Sequence, residues 1–152
     1  MILAIDPGPI ESAWAVLDGS LKPVAFGKED NEKLLNSMHP LPHQKVAIEM
    51  VASYGMPVGA EVFETVLWIG RFWQHWQGEK HRIYRKDVKM NLCGSMKAKD
   101  SNIRQALIDR FGPVGTKKNP GWFHGVSGDI WAAIAVGVTY ADMYWKIREA
   151  KA

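Results

Sequence analysis

The chain has 152 residues, a net charge of +3 and 47% hydrophobic residues, a length and composition that fit one domain with a buried core of its own (residues 1–152). It has no long apolar run and no leader with a cleavage site, which argues against a membrane span and a secretory signal. The single Cys93 has no partner for an internal disulfide and fits a reducing cytoplasm; the histidines show no zinc spacing, and His75 and His81 read as surface residues.

The apolar run Ile2, Leu3, Ala4, Ile5 ends in Asp6 and is broken by Pro7 and Gly8. A short apolar run bounded by breakers reads as a strand buried on both faces. A carboxylate at the end of such a strand is costly unless a cation binds it. No basic residue lies nearby in sequence, so a divalent metal is the natural partner. Residues 12–18 alternate and read as a second strand, Asp18-Gly19-Ser20 as a turn, and residues 21–27 as a third strand whose Pro23 suggests an edge. Residues 29–38 read as a helix with an acidic start, ended by Pro40 and Pro42. Residues 44–50 form a fourth strand that also ends in an acid, Glu49.

Residues 51–59, with Gly55, Pro57 and Gly59, read as a loop with Tyr54 at its centre. Residues 60–76 have helical periodicity and an apolar face wide enough both to cover a sheet and to meet another subunit. Residues 82–84 read as a short fifth strand, 85–92 as a helical turn stopped by Gly94, and 100–111 as a helix ended by Gly112-Pro113. A polar loop follows over 114–121, then a last helix from about Ser127 to Ala150 with Asp129 in its first turn. The order β-β-β-α-β-α-β-α-α predicts an α/β fold, a mixed five-stranded sheet with helices on both faces.

Charge is unevenly spread. Lys80, Arg82, Arg85, Lys86, Lys89, Lys97, Lys99 and Arg104 face only Asp87 and Asp100 in that stretch, and the rest of the chain is net acidic. Such a segment reads as a phosphate-binding patch or, more plainly, as a solvated surface. The three acids Asp6, Glu49 and Asp129 each have an ordinary reading: a turn cap, an exposed strand end, a helix first-turn acid. If the first and fourth strands are parallel neighbours, Asp6 and Glu49 project from one sheet edge. There a divalent metal would relieve their repulsion, and two metals could drive phosphodiester hydrolysis.

MILAIDPG, AIEM and SGDIWAAIAVGV, in that order, resemble the three acidic motifs of the RuvC-type Holliday-junction resolvases, within the RNase H-like superfamily. Arg85-Lys86-Asp87-Val88-Lys89 and the segment after it resemble that family's basic R-x-V-K segment and following helix. The resemblance runs through nearly the whole chain. It implies an RNase H-like nuclease domain and a homodimer joined through helix 60–76. The dimer would cut four-way DNA junctions by paired symmetric nicks with magnesium or manganese, two ions per site, through a metal-activated water, leaving 5′-phosphate and 3′-hydroxyl ends. It implies Asp6, Glu49 and Asp129 as metal ligands and Lys89 as a catalytic contact to phosphate. Arg82, Arg85, Lys86, Lys97, Lys99 and Arg104 would contact the nucleic acid. Two departures stand out. Asp100 occupies the apparent position of a family lysine, with Lys99 beside it. Val126 occupies the position three residues before the last acid, where the family has Asp or His; His124 is the nearby residue that could reach a metal from the loop. Tyr54 is a candidate to stack on an unpaired base at the junction centre, or a packed loop tyrosine. Two other functions fit the same residues: an RNase H-like ribonuclease or RNA-processing enzyme, and an inactive nucleic-acid-binding module.

Overall fold

The computed structural model of the chain describes residues 1–39 and 44–145. The expected helix stop at Pro40 and Pro42, and the expected helical turns over 146–150, lie outside these residues. The first strand, β1 (Ile2–Asp6), is buried on both faces up to Ile5. It pairs antiparallel with β2 (Glu11–Leu17), which pairs antiparallel with β3 (Pro23–Asp30). At the β2–β3 turn the Asp18 carboxylate accepts from the backbone N–H groups of Ser20 and Lys22.

Helix α1 (Asn31–Ser37) starts where Asp30 accepts from the N–H groups of Glu32 and Lys33. Strand β4 (Lys45–Met50) then lies parallel to β1 on its free side, and β5 (Lys80–Tyr84) lies parallel to β4. Helix α2 (Ala60–His75) makes the crossover between them. Helix α3 (Arg85–Cys93) follows β5 without a gap and stops at Gly94, whose φ of 67° only glycine adopts without strain. Helices α4 (Asp100–Phe111) and α5 (Ile130–Tyr140) complete the fold, and α5 runs on into a π-helical turn, Ala141–Trp145. The sheet order is β3-β2-β1-β4-β5, mixed as expected, with β3 at the edge.

The two sheet faces carry different residue sizes. Leu3, Ile5, Val46 and Ile48 pack with Leu34, Leu35 and Met38 around α1 and with Ile69, Phe72 and Trp76 around α2. The other face has alanines at its centre, Ala4, Ala13, Ala15 and Ala47, with Ile2, Leu17 and Ile83 around them, and carries α3, α4 and α5. Small residues let α5 lie close to the strands: a Cβ on Gly137 would stand 2.6 Å from Leu17 Cδ1 and 3.0 Å from Ala4 Cβ. Because α5 is also covered by α3 and α4, nearly all of it is buried, and its sequence is apolar all round.

Several boundaries differ from the sequence reading. Strand β3 continues through Lys28, Glu29 and Asp30, because these residues pair with Ala13, Ser12 and Glu11; the acids expected to open a helix belong to the strand and its cap. Strand β5 begins at Lys80, and residues 85–93 form a full helix in place of a turn. The last helix begins at Ile130, after Gly128 with a φ of 53°, and Asp129 stands at its N-cap position without a side-chain capping hydrogen bond. His81 is half-buried: it lies in β5 with its ring 4.1 Å from that of Tyr144 and its Nε2 3.5 Å from Glu79. His75 is exposed, with its Nε2 3.0 Å from the Met38 carbonyl oxygen.

Candidate active site

Residues paired across strands project from the same face. Ala13 pairs with Asp6 on one side and with Lys28 on the other. Strands β1 and β4 are in register through Ile5 and Ile48, so Asp6 and Glu49 come next, side by side; Glu49 pairs with Ile83. A single row, Lys28–Ala13–Asp6–Glu49–Ile83, therefore faces α5. Asp129, at the start of α5, meets the same row. Register brings Asp6 and Glu49 together at one end of the strands, and the packing of α5 on the sheet brings Asp129 beside them.

The electrostatics of the row are strained. Burial above all, then the Glu49 carboxylate, the hydrogen bond shared with it, and Asp129 push the Asp6 carboxyl up to about 8, against a downward pull from Arg85. Burial raises Glu49 as well, while the hydrogen bond from Asp6 and the charge of Arg85 pull it back. Both carboxyls are thus held above their ordinary values, and each favours a proton or another cation beside it. Hard oxygen donors crowded in this way suit magnesium or manganese, whose charge would displace that proton.

Asp129 stands apart from the pair. Its carboxylate is 59% exposed and accepts a hydrogen bond from Lys28 Nζ at 2.8 Å. That bond, together with the charge of Asp129, raises the pKa of Lys28. Lys28, Asp6, Asp129, Ala13 and Glu11 line one open cleft of about 530 Å³, closed at one end by the turn Pro7–Ile10. Among the described residues, no three Asp, Glu, His or Cys side chains stand close enough to hold one ion. Asp129, held by Lys28, stands outside the Asp6–Glu49 pair.

The expectation that nothing basic meets Asp6 is corrected by Lys28 and Arg85, both of which interact with it. Lys28 escaped the sequence reading because β3 was expected to end one residue before it. Arg85, at the junction of β5 and α3, stands 4.0 Å from Glu49 and is ion-paired with Asp100. Lys89 lies one helical turn further along the same face of α3. Arg82 stacks over Trp73, Lys86 over Tyr84 and Arg104 over Trp131. Lys97 and Lys99 are exposed in the α3–α4 connection.

The turn beside Asp6 is held from below. The Ser12 hydroxyl donates to Asn31 Oδ1 at 2.6 Å, Asn31 Nδ2 donates to the Gly8 carbonyl at 2.9 Å, and the Gly8 N–H donates to Ser12 Oγ at 3.1 Å. Gly8 is required by space: a Cβ there would lie 2.3 Å from the Glu11 carbonyl oxygen. Gly8→Ala is expected to cost about 2 kcal/mol, lowering the melting temperature by roughly 4–8 °C for a chain of this size. A thermal melt beside the unaltered protein checks this; equal melting temperatures would mean that the turn gives way freely.

Of the remaining candidates, Val126 is 7% exposed and packs in the core under α5. His124 is exposed on the preceding loop. Tyr54 is 60% exposed at the tip of loop 51–59, with a φ of 51°.

The sheet order, the parallel β1–β4–β5 half and the helices on both faces define an RNase H-like α/β fold. Among solved structures, the chain is similar to RuvC of Thermus thermophilus: TM-score 0.65, 16% identity, covering 93% of this chain and 95% of that one. A second structure, T. thermophilus RuvC in complex with a Holliday junction substrate, matches with a TM-score of 0.62 and 16% identity, covering 92% of each chain. No family model and no curated protein matches the sequence. Among the described residues, no helix is long and apolar enough to cross a membrane.

Proposed function

We propose that the chain is a metal-dependent endonuclease that acts on branched DNA, with the four-way junction as its substrate. The observation that carries this reading is the half-buried carboxylate pair Asp6–Glu49 at the ends of adjacent parallel strands, with Asp129 bordering the same cleft. The fold likeness to a resolvase solved with a Holliday junction supports the choice of substrate. Asp6 and Glu49 would hold one divalent ion, with Asp129 the carboxylate on which a second would rest; His124 is close in sequence and exposed. When bound, magnesium or manganese supplies the charge that makes a water nucleophilic at neutral pH and offsets charge on the scissile phosphate. Asp6 and Glu49 fix that charge at the sheet edge, and the Pro7–Ile10 turn walls one side of the cleft. Arg85 and Lys89, on one face of α3, present cations to the DNA backbone, and Arg82, Lys86, Lys97, Lys99 and Arg104 extend that surface.

The exposed apolar side of α2 supports a homodimer. Phe63 is 63% and Leu67 58% exposed, and Leu67 borders a groove with Val66, Leu35 and Gly70. Two-fold symmetry suits a junction with two equivalent strands to cut. Tyr54 at an exposed loop tip suits stacking on an open base. The lone Cys93 suits a cytoplasmic location.

The test is nicking of a synthetic four-way junction, a linear duplex and an RNA–DNA hybrid, each with Mg2+, Mn2+ or chelator. Cleavage of the junction alone, lost with chelator, is the expected result. Cleavage of the hybrid alone would move the function to RNA. Binding without cleavage under either metal would leave a nucleic-acid-binding module.

A further inference from the structure

The Lys28–Asp129 pair is not needed to hold the fold together. It is an exposed pair between a sheet edge and a helix start, the kind that contributes little to stability. Its placement is better explained by the cleft. Lys28 occupies the same cross-strand row as Asp6 and Glu49, where its neighbours Ala13 and Ile83 are core residues. The small Ala13 side chain between Lys28 and Asp6 leaves the long lysine room to lie along the cleft to Asp129. One carboxylate of the three is thereby neutralised by a cation that the chain itself supplies. Val126, three residues before Asp129, is packed in the interior and offers the cleft no donor. The other acid lining the cleft, Glu11, lies beyond Asp6 at the start of β2, opposite Asp30.

We propose that Lys28 takes the place of a second divalent ion: each chain binds one such ion, on Asp6 and Glu49, while the Lys28 ammonium holds Asp129 and lends its fixed charge to the phosphate side of the cleft. An ammonium has three donors, and Asp129 uses one. The inference rests on the proposed nuclease site and narrows it from two ions to one. A fixed ammonium cannot activate a water as a metal does, so its part is to position Asp129 and to attract the DNA backbone. Lys28 is thus a positioning residue for the site and a contact for the substrate.

Counting Mn2+ by calorimetry on the full chain, without DNA, tests it. The unaltered protein and Lys28→Arg are expected to bind one Mn2+ per chain. Lys28→Met, with Asp129 released, is expected to take up a second. Asp6→Asn is expected to bind none. Two ions on the unaltered protein, or a Lys28→Met variant with the same count and affinity as the unaltered one, would overturn the proposal while leaving a metal-dependent nuclease standing. No Mn2+ on the unaltered protein would overturn this proposal and the metal-dependent reading together. Junction affinity in chelator gives an independent readout: Lys28→Met is expected to bind several-fold more weakly with a shallower salt dependence, and unchanged affinity would remove Lys28 from the DNA contact.

Discussion

Asp6→Asn is expected to lose junction cleavage by more than about a thousandfold, some 4 kcal/mol of barrier, while binding a junction as well as the unaltered protein does. The side chains are nearly isosteric, and the amide N–H can donate to Glu49 as the protonated acid does, so the row across the sheet survives. What disappears is one of the two carboxylates that can hold an ion at the strand ends. Glu49→Gln is expected to behave alike, for the same reason. Single-turnover cleavage and junction gel shifts on both variants check this. Retained cleavage in either one would remove that carboxylate from the site. Loss of binding together with cleavage would mean that the substitution had disturbed the sheet edge itself.

Without metal, the protein is expected to become less stable as pH rises from about 5 to about 8. Asp6 has an ordinary value of 3.8 and is pushed up to about 8 in the folded chain. Between those two values the folded state keeps a proton that the unfolded chain has released, so raising the pH favours unfolding; above about 8 both states have lost it and the effect is complete. The upward shift of Glu49 acts in the same direction. Across this window the loss is on the order of 3 kcal/mol, or roughly 6–12 °C in melting temperature for a chain this long. Mg2+ is expected to restore stability more at pH 8 than at pH 5, because it replaces the proton only where the proton has become scarce. Melts at both pH values, with chelator and with Mg2+, and with Asp6→Asn as the variant whose pH dependence should flatten, check the sign. A metal-free protein that grows more stable across this window would contradict the account of the pair.

The sequence made the ends of the buried strands visible because burial and charge conflict there. A carboxylate closing ILAID or AIEM is conspicuous without knowledge of which strands touch. The mixed sheet was legible for a similar reason, since a meander followed by strand–helix units leaves few ways to pair. Lys28 was not legible. It follows a glycine in a polar stretch that reads as a helix start, and only the ladder with β2 shows that the strand continues through it. Arg85 was visible as one basic residue among several, but its position between Glu49 and Asp100 depends on β5 lying beside β4. The start of α5 was misjudged because Gly128 permits a backbone turn that delays the helix to Ile130. His81 is only half at the surface because the fifth strand extends further back than its apolar residues suggest.

Mapping the cuts on a four-way junction whose strands are labelled one at a time tests the central claim most directly. With Mg2+ present, nicks are expected in two opposite strands at symmetry-related positions. Their ends should be joined again by a DNA ligase, and neither nick should form with Asp6→Asn. Cuts scattered over all four strands, or equal cutting of the linear arms alone, would contradict a junction-resolving site built on Asp6, Glu49 and Asp129.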